Sequence, residues 1–280
     1  MAGDETTGHR QLDVAATLAL VERLQHDRRY RDTHGLFFVE GVRNFVEAVD
    51  HHFEVDGVVY SERLLTAPLA RKLVRRLKRA GVPFAALSPE QFRQISTAER
   101  AAGVAAILRQ HVQALHQVTP GPHSCWVALS HVHSPGNLGS LLRTSAAVGG
   151  AGLIMLSAGV DPLDPGTVRG SMGALFRQAI IRTDAEQFRV WVRRHHLQVI
   201  GASPDGAVEY DRPCYIRPAV LMLGEERAGL SDDQRSLCEH IVRIPMVDHI
   251  DSLNLAVAGS LLLYERFRTA RQEQLRRGER

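Results

Sequence analysis

Short apolar stretches recur along the second half of the chain: CWVALS, GLIMLS, QAIIRT, LQVIGAS, AVLMLG and HIVRIPM. Each is continuous and rich in β-branched or aliphatic residues, the pattern of strands buried on both faces. The intervening segments LGSLLRTSAAVG, TVRGSMGALF, AEQFRVWVRRH and SDDQRSLCE read as helices. A long final helix is predicted from Ser252. Strands of this kind alternating with helices predict a parallel sheet covered on both faces.

The first half alternates over shorter distances. TLALVERLQHDRRYRD predicts one helix with a basic end, FFVE a strand, VRNFVEAVD a helix and VDGVVYS a strand. APLARKLVRRLKRAG predicts a basic amphipathic helix ended by Gly81. PFAALS, SPEQFRQIS and GVAAILRQ then read as strand, capped helix and strand. Together they describe a small α/β domain behind a basic helical arm. HQVTPGPHS, residues 116–124, has two prolines and little periodicity, and reads as a linker. The expected division is therefore 1–115, a linker at 116–124, and 125–280.

Composition narrows the class. Of 280 residues, 44% are hydrophobic and 23% charged, enough to bury a real core. The net charge of +3 permits nucleic-acid binding, and the clustering of arginines is more informative than the total. The three cysteines are scattered with no CxxC pair, which fits a reducing compartment and supports neither a zinc ribbon nor a disulfide framework. The first residues show no cationic apolar leader, so a cytoplasmic protein is expected. The apolar run from Leu253 to Tyr264 is shorter than the roughly 20 residues of a membrane span and reads as a helix buried on most sides.

The usual nucleotide signatures are missing. No GxxxxGK[ST] loop and no GxGxxG after a strand occurs, which argues against an NTPase or a doubly wound dinucleotide enzyme. HEXXH is absent. His131 and His133 form an HxH pair without a third ligand at a recognisable spacing, so they read as ordinary loop histidines and no metal is expected.

Three loops at strand ends hold the candidate chemistry, at the sheet edge where open α/β folds bind ligands. In HSPGNLGSLLRTSAAVGG, Asn137 can cap the following helix. Leu138, Leu141, Leu142 and Ser145 share one face, and Arg143 lies about 140° from Leu138. In LMLGEERAGLSD, Gly224 and Gly229 allow close backbone approach, Glu226 sits in the loop, and Ser231 or Asp232 caps a helix. In IPMVDHIDSLNLAVAGSLLLYE, Asp251 or Ser252 is the expected cap. Asn254 is the odd polar residue there, and Ala256, Ala258, Gly259 and Ser260 would let another backbone pass close.

Taken together and in this order, the three stretches resemble the SpoU (TrmH) branch of the SPOUT methyltransferases. N-x-G-[AS]-[IL]-x-R-T is met by Asn137, Gly139, Ser140, Leu141, Arg143 and Thr144. G-x-E-x-x-G-L-S is met by Gly224, Glu226, Gly229, Leu230 and Ser231, and I-P-M followed by S-L-N by Ile244 to Met246 and Ser252 to Asn254. RGSMGALF and FFVEGVRNFVEAV also resemble family segments, so the likeness spans nearly the whole chain. Glu225, Arg227 and Asp248 depart from residues common in the family.

The resemblance implies an α/β fold: a carboxy-terminal SPOUT-type parallel sheet with a trefoil knot, plus a small amino-terminal substrate-binding domain. It implies a homodimer and S-adenosylmethionine-dependent 2′-O-methylation of ribose in structured RNA. The ribosomal branch, with its separate amino-terminal domain, is favoured over transfer RNA; a non-catalytic RNA-binding protein on the same fold is the other alternative. The implied catalytic group is Arg143, with Asn137, Glu226 and Asn254 supporting it. Leu223, Gly224, Ile244, Met246, Ser252 and Leu253 would hold the cofactor. For RNA contact the basic arm and amino-terminal domain offer Arg28, Arg29, Arg31 and Arg43, with the Arg71–Arg79 helix behind them.

Overall fold

The structure, a computed structural model, describes residues 10–212, 215, 218–247 and 252–276. The chain divides into two compact units. One runs to His111 and takes back Leu163–Phe176, and the other holds Val112–Pro162 and the residues from Arg177 on.

In the first unit, α1 (Val14–His26) and α2 (Arg28–His34) replace the single helix expected there. Asp27 breaks it: its backbone is extended and its carboxylate accepts from the Tyr30 amide at 2.9 Å. A short acidic side chain satisfies helix-end amides better than it serves a helix interior. Then follow β1 (Leu36–Glu40), α3 (Val42–Asp50), β2 (Val55–Tyr60), α4 (Pro68–Arg79), β3 (Phe84–Ala86), α5 (Pro89–Ile95) and β4 (Val104–Arg109). The sheet order is β1-β4-β2-β3, with β4 antiparallel to both neighbours and β2 parallel to β3. The amphipathic reading of the basic helix holds: α4 buries Ala70, Leu73 and Val74 and leaves Lys72, Arg75, Arg76 and Arg79 exposed.

The second unit is a parallel sheet. In chain order come β5 (Gln113–Ala114), β6 (Cys125–His131), α6 (Pro135–Ala147), β7 (Gly152–Gly159), α7 (Pro165–Ser171, in the segment returned to the first unit), β8 (Ala179–Arg182), α8 (Ala185–Arg194), β9 (Gln198–Ala202), β10 (Val208–Glu209), β11 (Ala219–Leu223), α9 (Asp232–Leu237), β12 (His240–Arg243) and α10 (Leu255–Arg276). The strand order is β10-β12-β9-β11-β6-β7-β8-β5 and every pair is parallel. All six strands predicted from the apolar runs form its centre. From β6 the chain builds outward through β7 and β8, whereas β9, β11 and β12 lie on the other side of it. The order therefore reverses between β6 and β11, the position where open α/β sheets form a binding crevice.

Two further expectations are corrected. TVRGSMGALF is not one helix: α7 stops at Met172, which is left-handed, Gly173 has φ +89°, and a single 3₁₀ turn follows. A side chain at Gly173 would collide with Glu47, its β-carbon 2.6 Å from that residue's Cγ. The 116–124 stretch, the expected linker, belongs to the second unit and is held there. Leu115 and Val118 pack in the core, the Trp191 indole donates to the Val118 carbonyl at 2.9 Å, and Arg266 donates to the His123 carbonyl at 2.5 Å. Finally, α10 is not buried on most sides: Val257, Leu261, Tyr264 and Phe267 are 37–54% exposed along one face.

The face of the sheet under α8 is filled by Trp126, Ala128, Ile154, Ile181, Phe188, Trp191, Val199, Val220 and Met222. Trp126 and Trp191 meet edge to face with centroids 6.0 Å apart. Phe188 is fully buried there. Phe188→Ala should cost about 3–5 kcal/mol of stability, read from the shift in urea midpoint at unchanged slope.

Candidate functional site

The loops after β6 and β11 and the segment before α10 converge. Ser134, not Asn137, caps α6: its hydroxyl accepts from the Asn137 amide at 3.4 Å, and Pro135 opens the helix. Asn137 thus sits in the first turn with its side chain available. Its Nδ2 donates to Glu226 Oε1 at 2.6 Å, and its Oδ1 accepts from Asn254 Nδ2 at 3.0 Å. Asn254 is itself the cap of α10, its Oδ1 accepting from the amides of Ala256 and Val257 at 2.9 and 3.3 Å. The expected cap Ser252 lies before the helix, and Asp251 falls outside the described residues.

These bonds fix each amide's orientation. Asn254 must offer its oxygen to the helix amides, so its NH₂ points to Asn137. Asn137 must then present oxygen to Asn254 and NH₂ to the carboxylate. The chain Glu226–Asn137–Asn254 ties together three segments far apart in sequence.

Beside Glu226 is a cavity of about 290 Å³. It is lined by all six expected cofactor residues, Leu223, Gly224, Ile244, Met246, Ser252 and Leu253, together with Glu225, Glu226 and Arg227. Ala202, Ser203, Pro204, Val242, Leu255 and Ala258 also line its walls and were not expected there. Ser203 ends the β9 region, and no motif marks it. It accepts a hydrogen bond from Arg235 at 3.0 Å, and Arg235 also pairs with Asp205 at 2.8 Å, which holds the Asp205 carboxyl below its usual range.

The cavity suits an adenosyl group with a charged tail: apolar walls for a base and sugar, carboxylates and a guanidinium at one side. Gly224 lets the loop on one side of the cavity close on itself. A β-carbon there would lie 2.2 Å from the Gly229 carbonyl carbon. The amide and carbonyl of Glu225 exchange hydrogen bonds with those of Gly229, both at 2.9 Å, and close the loop. The departures at Glu225 and Arg227 thus line the cavity without filling it, while Asp248 lies outside the described residues.

Leu138, Leu141, Leu142 and Ser145 are buried, as expected, and Arg143 is exposed. Arg143 is not part of the Glu226–Asn137–Asn254 chain. It sits about 9 Å further along α6 at the helical rise, without a hydrogen bond or ion pair to any of the described residues. α10 passes close to the same helix. A β-carbon at Gly259 would meet Leu141 and Leu223 methyls at 2.6 and 2.7 Å, and Ser260 donates to Thr144 at 2.9 Å.

Of the expected RNA-facing arginines, Arg29 and Arg43 are exposed and Arg28 is half-buried beside Asp32 at 3.6 Å. Arg31 needs correction. It is 3% exposed and donates to the Leu24 carbonyl at 2.8 Å, satisfying the end of α1 rather than a phosphate. Burial pushes Cys125 and Cys238 up to about 11, so both stay protonated at neutral pH.

The chain's similarities follow this geometry. The SpoU rRNA methylase family matches residues 124–264, and the MRM3-like substrate binding domain matches residues 20–106. A 23S rRNA (uridine(2479)-2′-O)-methyltransferase of Streptomyces viridochromogenes is 30% identical over 88% of each chain. The crystal structure of the SpoU methyltransferase AviRb from the same organism superposes with TM-score 0.84 at 28% identity, covering 92% of this chain and 98% of that one. An AdoMet-bound rRNA methyltransferase from Sinorhizobium meliloti gives TM-score 0.83 at 28% identity, covering 92% and 97%. With the strand order, the three converging motifs and these matches in agreement, the chain belongs to the SpoU rRNA methylase family.

Proposed function

We propose that this protein is an S-adenosylmethionine-dependent RNA methyltransferase that modifies a ribose 2′-hydroxyl, with ribosomal RNA as its substrate. One observation carries the reading: residues from three distant segments line a single cavity, and Glu226 links that cavity through Asn137 to the cap of α10. The relatives named above, one a 23S rRNA 2′-O-methyltransferase and one bound to AdoMet, support the substrate and cofactor.

Held in this cavity, S-adenosylmethionine supplies an electrophilic methyl on its sulfonium. Leu223, Ile244, Met246 and Leu253 offer apolar walls with backbone amides and carbonyls for the adenosyl part, and Gly224 and Ser252 leave room for it. Arg143 is the residue for the acceptor. A guanidinium holds its proton, so its work is to stabilise the alkoxide that develops on the ribose oxygen and to clamp the neighbouring phosphate. Asn137, held by two side chains, keeps the first turn of that helix in place.

The exposed face of α10 supports a homodimer. Val257, Leu261 and Tyr264 line a shallow groove with Asn137, Ser140 and Asn254, so a second copy covering it would complete the site. The close approach of α10 to α6 at Gly259 supports the knot, which needs a helix slender enough to pass through a loop. No helix among the described residues is long and apolar enough to cross a membrane, and the reading is of a cytoplasmic enzyme.

Ribose-methylation mapping of total RNA with and without the protein tests the activity. One ribosomal position should lose its mark on deletion and regain it with purified enzyme. A lost mark on transfer RNA would move the substrate, and no change anywhere would leave only RNA binding. For recognition, Arg29→Ala and Arg43→Ala should each weaken RNA binding and flatten the dependence of log affinity on log salt, by about 0.7–0.9 for every phosphate no longer neutralised. Salt titration by filter binding reads both.

A further inference from the structure

We propose that His131, His133 and Glu225 form a binding site for one divalent transition cation of the zinc class. The HxH pair lacks a third ligand in sequence, and the fold supplies it from the loop after β11. His131 Nε2 lies 3.3 Å from His133 Nδ1, and His133 Nε2 lies 3.4 Å from Glu225 Oε1. One ligand atom from each of the three residues falls within 4.8 Å of the others. Bonds of about 2.0–2.1 Å in a tetrahedral site imply ligand–ligand edges of about 3.3–3.4 Å; His133 offers an ion only one of its two ring nitrogens, so one of the two approaches is already at that spacing and the remaining ligand atoms close on it from within 4.8 Å.

Backbone features aim these groups at each other. The β6–β7 register shifts at this end: Leu129 pairs with Met155, but His131 pairs with Gly159. Such irregularities redirect a side chain at a sheet edge. The His131 ring then sits over Gly159, where a β-carbon would lie 2.1 Å from Nδ1. With Nδ1 against the strand, Nε2 faces His133. Glu225 is held by its paired hydrogen bonds with Gly229. An ion bound here cross-links the loops after β6 and β11 beside the cavity that Glu225 lines.

The donor set chooses the class of ion. Two imidazoles and one carboxylate suit Zn²⁺, Co²⁺, Ni²⁺ or Cu²⁺, whereas Mg²⁺ and Ca²⁺ prefer oxygen shells. Three protein ligands leave a coordination position open to water or a ligand oxygen.

The full-length protein, stripped with a chelator, should be titrated with Co²⁺ and Zn²⁺. We expect one equivalent of Co²⁺ with visible d–d absorption that Zn²⁺ abolishes, and a rise in Tm with Zn²⁺ but not with Mg²⁺. Glu225→Gln and His131→Ala should each weaken Zn²⁺ binding by at least about tenfold, while His195→Ala, elsewhere on the unit, should leave it unchanged. Far-UV circular dichroism of the metal-free variants checks their fold. Should His131→Ala fail to fold, Glu225→Gln at its half-exposed position decides the matter. Absence of the Co²⁺ band, or Zn²⁺ affinity unaltered in Glu225→Gln, overturns the site and leaves a simple surface ion pair.

Discussion

Arg143→Ala is expected to lower single-turnover methyl transfer by roughly 10²–10³-fold, the cost of removing one preorganised stabiliser of a developing oxyanion. S-adenosylmethionine affinity, measured by calorimetry, should stay at the wild-type value. The separation of the two readouts follows from geometry. Arg143 does not line the cavity, and it bonds to none of the described residues, so its removal disturbs neither pocket nor fold. Arg143→Lys sharpens the test. A lysine keeps the charge but loses the planar fork, so partial activity points to charge and none points to two-point clamping of ribose and phosphate. Full turnover in the alanine variant would remove Arg143 from the reaction.

Gly224→Ala should weaken S-adenosylmethionine binding by at least about tenfold, or about 1.4 kcal/mol. The added β-carbon would lie 2.2, 2.3 and 2.4 Å from the carbonyl carbon and oxygen of Gly229 and the amide of Leu230. All three are backbone atoms, so no side chain can swing aside. The 225–229 loop must shift, carrying Glu226 away from Asn137 and opening one wall of the cavity. Gly229→Ala is the control. It strains a φ of +70° but meets nothing within 4 Å, so its effect should be the smaller. Wild-type affinity in Gly224→Ala would mean that the loop does not shape the cofactor site.

Much of the site is legible in the chain itself. The six residues expected around the cofactor line one cavity because motifs at strand ends must meet at the same sheet edge once the strands are parallel. The face of α6 that packs on the sheet is also readable, since 3.6-residue periodicity assigns Leu138, Leu141 and Leu142 together. Capping is less so. Ser134, Asn137, Ser252 and Asn254 are all competent caps, and only the partners each finds in space decide which ones serve. Arg31 looks like its neighbours Arg28 and Arg29. The turn at Asp27 folds it back onto the carbonyls of α1, an arrangement that depends on one broken helix. The exposed face of α10 escapes a reading from sequence because apolar composition cannot say whether a helix is covered by its own chain or by another.

What the sequence alone determined is the alternation of buried strands and helices, the presence of the three strand-end loops, and the basic face of α4. These depend on local periodicity and on residues adjacent in the chain. The folded chain alone makes β6 and β11 neighbours at the reversal of the sheet, brings Glu226 to Asn137, and sets Glu225 beside His131 and His133. Each of those pairs residues some 90 positions apart, and no spacing rule along a chain encodes a distance that the strand order sets.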